Sequence, residues 1–280
     1  MPSDVQTITM SATASETSVA TGVSINAKGK FVALGATSFV EQLDDGSILK
    51  RPWPAPDRAS ERRDELRLES KIYDRVGKNS LIVNKFGWDD KDCALTLEYM
   101  PHGPLREYIK SHCEIDNTQR RKWSMEAAQG LHLLHQCGVV HCDVGPHNFL
   151  LDQDLQLKIT DFAGSSLDGS LTEIRPGSRY KAPSTSKNET GSPTIHDDIF
   201  ALGSTIYYIM EGKAPFEEFD SREVQTKYQA YEFPDLQGMP YAKIIRDCWL
   251  GGFNCVGEVI EAMNRLAVPS PTVHNQLLYN

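Results

Sequence analysis

Asp143 and Asn148 stand five residues apart in the run His141-Cys142-Asp143-Val144-Gly145-Pro146-His147-Asn148, and Asp161-Phe162-Ala163 follows, its aspartate 18 residues after Asp143. These residue types suit one kind of chemistry. A carboxylate can orient an attacking hydroxyl, while a second carboxylate and an amide oxygen can hold magnesium against phosphate oxygens; phosphoryl transfer needs those three groups. His141 tempts a general-base assignment. Cys142 is read as a buried thiol, and such thiols are usually inert.

The elements that must position these groups follow from periodicity. Strand-like text begins at Lys30–Leu34, and a hairpin is expected over 38–43 and 47–50 around the turn Asp44-Asp45-Gly46. After Pro52, Pro54 and Pro56, Ser60 could cap a helix that stops at Gly77. Leu66, Leu68, Ile72, Tyr73 and Val76 form one arc of that helix, with Glu65 and Glu69 inside it. A carboxylate there needs a partner, because an unpaired buried charge is costly. Strands at 81–86 and 94–97 lead to the connector Glu98-Tyr99-Met100-Pro101-His102-Gly103. Helical spacing then takes over at Trp123, Ala127, Leu131, Leu134 and Cys137, with Gly138 as the stop. Further helices are expected at 199–210, 221–231, 242–249 and 256–266. The resulting fold class is α+β: a small antiparallel β lobe with one helix, and a larger α-rich lobe.

Composition sets outer limits. A formal charge of −9 argues against a nonspecific binder of nucleic acid or anionic membrane, which would cluster Lys and Arg. The apolar run Ile199–Met210 is too short to span a bilayer and reads as a buried helix. Six cysteines form no CxxC pair and no zinc spacing. With no Lys or Arg before Lys28 and no apolar N-terminal core, a secretory or transit signal is not expected, and a cytoplasmic or nuclear location is. Residues 1–28, rich in Ser, Thr and Ala, are expected to be disordered.

Taken in order, these segments resemble the protein kinase superfamily, of Ser/Thr type, over about Phe31 to Leu266. The resemblance implies a bilobal kinase domain at 29–268, with N-lobe 29–98, hinge 98–103, C-lobe 104–268 and a tail at 269–280. It also implies ATP and magnesium as cofactors and a protein as substrate. Lys50 resembles the strand lysine that contacts the α- and β-phosphates, and Glu69 the helix glutamate that pairs with it; Glu65, one turn away, is the alternative. A lone lysine ending a strand is more often a solvated charge. Its place just before the Pro-rich linker and the Glu-bearing helix reverses that reading. Gly35, Val40, Ile48, Glu98, Met100 and Leu150 fall at nucleotide-contacting positions, and Leu97 at the gatekeeper. Asp143 takes the place of the catalytic base, and Asn148 and Asp161 those of the metal ligands. Gly177 to Pro183 resembles the end of an activation segment. Asp198 resembles the aspartate that props up the catalytic loop, whereas Asp197 reads as capping charge, and the resemblance implies a packed core role for His141 rather than a general base.

The chain also departs from the family pattern. Only Gly35 remains of the usual three glycines in the phosphate loop, which implies looser ATP binding. Gly145 replaces the catalytic-loop lysine, and His147 stands where tyrosine kinases carry an arginine; His147 is expected to supply part of the missing positive charge. Cys142 replaces an arginine that grips an activation-loop phosphate, so activity independent of phosphorylation at Ser165, Ser166, Ser170 or Thr172 is expected. Ala163 replaces a glycine. Ser184 replaces a glutamate whose arginine partner is also missing, near Val256; losing both members of an ion pair can be nearly neutral. An active Ser/Thr kinase is the leading expectation. A pseudokinase scaffold and a small-molecule kinase of related fold are the alternatives, the latter weakened by Gly177–Pro183.

Overall fold

Short alternating runs become strands, and the longer 3.6-residue pattern becomes helix, in the order the sequence predicts. The computed structural model describes residues 7–10, 23–35, 37–53, 58–183 and 192–267. β1 (Thr7–Met10) and β2 (Val23–Asn26) pair antiparallel, with Thr7 opposite Asn26. Both fall in the stretch expected to be disordered, so that expectation is corrected for these two segments. Composition pointed one way, but the β-branched residues Thr7, Ile8, Thr9, Val23 and Ile25 favour strands. The expected tail at 269–280 and Ser184 lie outside the described residues.

The small lobe consists of β3 (Lys30–Leu34), β4 (Ser38–Gln42), β5 (Ile48–Pro52), α1 (Ala59–Val76), β6 (Lys85–Asp89) and β7 (Ala94–Leu97). Its five strands form an antiparallel sheet in the order β3-β4-β5-β7-β6. Gly46, at φ 85°, makes the β4–β5 turn, and Asp45 Oδ1 accepts from Ser47 N at 2.9 Å. Cross-strand partners share a face, so Val40, Lys50 and Leu95 line one side, with Ile48 and Leu97 two residues along. The opposite face carries Glu41, which is fully buried. Glu41 Oε1 accepts from the backbone N–H of Lys28 at 2.7 Å and of Gly29 at 3.2 Å, and Oε2 pairs with the Arg51 guanidinium. Gly29 permits this approach, because a Cβ there would fall 2.2 Å from Gln42 O.

The helix expected after the Pro-rich linker is α1, and Gly77 ends it as predicted. Its N-cap is Arg58 rather than Ser60, with no side-chain cap bond. Leu66, Glu69, Ile72 and Tyr73 are its buried face. One strand is displaced: 81–86 was expected, and β6 spans Lys85–Asp89. Ile82 and Val83 are buried, yet they bond across to the large lobe, with Val83 N donating to Ile159 O and Ile159 N to Leu81 O.

The large lobe begins with β8 (Gly103–Pro104), α2 (Leu105–Ser111) and α3 (Asn117–Gln136). β9 (Val139–Val140), β10 (Phe149–Leu151), β11 (Leu157–Ile159) and β12 (Ser166–Leu167) follow, and the helices α4 (Ile195–Glu211), α5 (Ser221–Gln229), α6 (Ala242–Trp249) and α7 (Val256–Ala267) complete it. The short strands form two ladders, β11-β10-β8 and β12-β9, that clamp the loop carrying Asp143. α4 is apolar around its circumference and buried from Asp198 through Ile209, as expected of a central helix. Asp197 caps it by accepting from Thr194 N at 2.8 Å. α4 and α6 approach closely at Gly203, where a Cβ would lie 2.6 Å from that of Cys248.

The buried Glu41 bonds hold the sheet edge to the residues ahead of β3. Glu41→Ala removes the acceptor of two backbone N–H groups and the buried ion pair with Arg51, and is expected to cost about 3 kcal/mol. Urea denaturation of the two proteins measures it; a loss below about 0.5 kcal/mol, the surface-substitution range, would exclude this role.

Candidate active site

The strand-end lysine and the arc glutamate meet. Lys50 Nζ lies 2.7 Å from Glu69 Oε2 and 2.6 Å from Asp161 Oδ1, so one ammonium joins β5, α1 and the segment after β11. The Lys50 side chain is 9% exposed and Glu69 fully buried, whereas 46% of the Asp161 side chain faces solvent. Burial works to lower the Lys50 pKa, but Asp161 and Glu69 outweigh it and hold the ammonium above its ordinary range. Burial also opposes ionisation of Asp161; the charge of Lys50 overcomes it and keeps this carboxyl below the usual range. For Glu69, burial dominates and pushes the carboxyl up. Glu65, the alternative partner, is not paired with Lys50. It is half-buried, with Oε2 lacking a partner among the described residues, and desolvation raises its pKa.

The Asp143 loop is held from behind by Asp198, in the first turn of α4. Asp198 Oδ2 accepts from His141 N at 2.7 Å and from His135 Nε2 at 2.9 Å, and Oδ1 accepts from Cys142 N at 2.9 Å. Only 1% of Asp198 is exposed. These bonds hold Cys142 in a left-handed conformation, φ 68°, that non-glycine residues rarely adopt. The Cys142 thiol contacts Val140 O at 3.3 Å, and burial pushes its pKa up to about 12, which fits an inert thiol. His141 is fully buried, its ring 5.7 Å from that of Phe162 and its Nε2 3.0 Å from Thr160 O. It has the packed position read from the sequence. His135 and Thr160, which carried no sequence signal of their own, complete this support together with Tyr73 of the apolar arc, whose hydroxyl lies 2.9 Å from Thr160 Oγ1.

Asp143 and Asn148 face each other. Asn148 Nδ2 donates to Asp143 O at 2.9 Å and to Asp143 Oδ2 at 3.1 Å, which leaves the Asn148 amide oxygen as its cation-ligating atom. His147 Nε2 lies 3.1 Å from the same Asp143 Oδ2. Asp161, held ionised by Lys50 through Oδ1, keeps Oδ2 for a cation. An ionised carboxylate and an amide oxygen are hard ligands that fit magnesium shared with phosphate oxygens. Among the described residues no group of three or more His, Cys, Asp or Glu forms a self-contained metal cage.

The nucleotide-contacting positions divide. Val40, Ile48 and Lys50 share the sheet face described above, and Leu150 sits on β10, half-buried. Met100 is buried in the connector. Glu98 donates its N–H to Asn84 O at 2.9 Å, so this group is not available to adenine. Its side chain bridges Lys158 Nζ at 2.7 Å and Asn84 Nδ2 at 2.7 Å. Burial would raise the Glu98 pKa, but those two donors prevail and hold it low. Gly35 lies in the β3–β4 turn, with its N–H donated to Ser38 O at 2.8 Å. That amide is committed to the turn rather than presented to phosphate.

The activation segment is fastened without phosphate. Arg75 of α1 makes a double contact with Asp168, at 3.2 and 3.0 Å, and Asp168 N donates to Gly138 O at 2.9 Å. Thr172 Oγ1 donates to Gly164 O at 2.9 Å, while Ser165 and Ser166 are fully buried. Of the four hydroxyls weighed for phosphorylation, Ser170 and Thr172 are the ones not fully buried. The Gly177–Pro183 stretch docks on α5, where Gln225 Nε2 donates to Ser178 O at 2.6 Å and Tyr228 OH to Arg179 O at 3.1 Å.

A β-sheet lobe with one helix, an α-rich lobe and an ion-paired lysine beside an Asp–Asn loop define a kinase-like phosphotransferase fold. The protein kinase domain family matches residues 53–246, and the chain belongs to that family. It is similar to the serine/threonine-protein kinase PKH2 of Saccharomyces cerevisiae, 25% identical over 195 residues, which is 64% of this chain and 18% of that protein. It is also similar to human 3-phosphoinositide-dependent protein kinase 1, 29% identical over 155 residues (52% of this chain, 28% of that protein). The serine/threonine-protein kinase PDK1 of Cryptococcus neoformans var. grubii is 31% identical over 138 residues, 46% of this chain and 11% of that protein. The chain thus matches only a minor part of each relative's length.

Removing Lys50 leaves Glu69 buried without its cation. Lys50→Met is expected to lose about 3–5 kcal/mol of stability in urea denaturation. The double variant Lys50→Met/Glu69→Leu should regain most of that loss. Equal stability of the single and double variants would show that the pair is not the coupled unit described.

Proposed function

We propose that the chain transfers the γ-phosphoryl group of ATP to Ser or Thr hydroxyls of protein substrates. The observation that carries this reading is Lys50 held between Glu69 and Asp161, with Asp143 and Asn148 hydrogen-bonded to each other. A cation at Lys50 suits the α- and β-phosphates, and its ion pair with Glu69 fixes its position. Asp143 orients the attacking hydroxyl and receives its proton as the oxygen adds to phosphorus. Asn148 and Asp161 are the residues that would hold magnesium, which when bound neutralises charge on the transferring group. The family match and the Ser/Thr kinases among the relatives support a protein substrate. The Gly177–Pro183 platform on α5 supports it further, because a small-molecule kinase needs no such surface. Six unpaired cysteines fit a reducing compartment such as the cytoplasm.

A pseudokinase is the second reading. It is favoured by the committed Gly35 amide and by the absence of a side chain at Gly145.

The test is phosphate transfer from labelled ATP to a generic protein substrate by the full chain with magnesium. Transfer lost in both Asp143→Ala and Asp161→Asn, and lost on chelating magnesium, is the expected result. Magnesium-dependent nucleotide binding without transfer would favour the pseudokinase. The Arg75–Asp168 contact also predicts that phosphatase-treated protein retains its full rate; a large gain on phosphorylating Ser170 or Thr172 would contradict it.

A further inference from the structure

Gly145 and His147 form a sterically matched pair. A Cβ at Gly145 would lie 2.6 Å from His147 Cε1 and 2.8 Å from Nδ1, so the imidazole occupies the space where any side chain at 145 would begin. The backbone fixes that seat: Asn148 N donates to Gly145 O at 3.0 Å, and Arg106 N, from α2, donates to Pro146 O at 2.9 Å. The ring is only 31% exposed, and its Nε2 lies 3.1 Å from Asp143 Oδ2. Asn148 Nδ2 reaches the same oxygen at 3.1 Å. Among the described residues no donor reaches Asp143 Oδ1. One oxygen of the carboxylate is thus held by two donors, and the other is left open.

We infer that His147 is a positioning residue for phosphoryl transfer, seated by the glycine at 145, which holds Oδ2 of Asp143 so that Oδ1 meets the substrate hydroxyl. This rests on the kinase reading above. In the step, the hydroxyl proton passes to Oδ1 and the hydroxyl oxygen bonds to the γ-phosphorus. The bond from that phosphorus to the bridging oxygen breaks, and its electron pair leaves with ADP. His147 needs no change of protonation for this, since the Nε2–H of a neutral ring is a sufficient donor. The role follows from where the ring sits, and residue 145 controls that without touching Asp143.

The full chain is assayed for kcat and KM with ATP and a protein substrate, alongside thermal unfolding of each variant. His147→Ala is expected to lower kcat about 10²-fold, the scale of a misplaced catalytic group, with KM for ATP and the unfolding midpoint little changed. His147→Gln, which keeps an N–H donor, should retain more activity than His147→Ala. Gly145→Ala should lower kcat comparably by displacing the ring. The double variant Gly145→Ala/His147→Ala should be no slower than His147→Ala alone, because the two act through one contact. Unchanged kcat in His147→Ala, or losses that add in the double variant, would overturn the inference while leaving the kinase reading intact. Absence of transfer by the unaltered chain would overturn both.

Discussion

Asp198 is the constraint on which the catalytic loop depends. A carboxylate with 1% exposure is tolerable only when both its oxygens accept hydrogen bonds, and three donors supply them. Two are consecutive backbone N–H groups of the loop, and the third is His135 on α3. Because α4 is buried along most of its length, Asp198 is fixed by the core of the large lobe, and the loop inherits that rigidity. The left-handed Cys142 is the local strain that this arrangement carries. A loop so held can present Asp143 and Asn148 at a fixed separation without any ligand.

The second constraint joins the lobes. Lys50 draws a carboxylate from α1 and one from the segment after β11 to a single point, and the Tyr73–Thr160 hydrogen bond repeats that link one turn along α1. Arg75 repeats it again at the end of the helix, through Asp168. That last pair is solvent-exposed, so its energy is small, and its meaning is positional. Three contacts along the C-terminal half of α1 set it against the large lobe. Lys50 therefore stays beside Asp161 without help from a phosphorylated loop.

Much of this was legible in the sequence, and the exceptions have physical causes. β7 and α6 have the predicted bounds, and α6 is a helical run with Pro240 ahead of it and Gly251-Gly252 after it. The 81–86 strand was misplaced because Leu81, Ile82 and Val83 announce burial but not a partner. Their bonds go to Ile159, about 75 residues downstream, which no local pattern encodes. α2, at seven residues, is too short to show a period. At the site, Asp143, Asn148 and Asp161 stand in a chemically telling run, and Glu69 marked itself as a carboxylate inside an apolar arc, whereas Lys50 and Asp198 were picked out through the family resemblance. His135 and Arg75 could not: a histidine and an arginine on helix faces look like ordinary surface residues until the fold brings Asp198 and Asp168 to them.

Three of the departures from the family pattern, at Gly145, Ala163 and Cys142, are matched by other residues. Gly145 leaves a gap that the His147 ring fills against Asp143. Ala163 stands where the glycine after Asp-Phe is expected, but Gly164 follows. There a Cβ would fall 2.5 Å from Ile174 and Thr172 bonds the backbone carbonyl, so the close approach that needs a glycine occurs one residue later. Cys142 removes a cation from the loop, and the activation segment is tied instead by Arg75 to a carboxylate of its own. In each case an altered residue is accompanied by a neighbour whose size or charge fits the alteration. The fitted replacements describe a catalytic loop and activation segment built on different contacts but holding the same three groups in place.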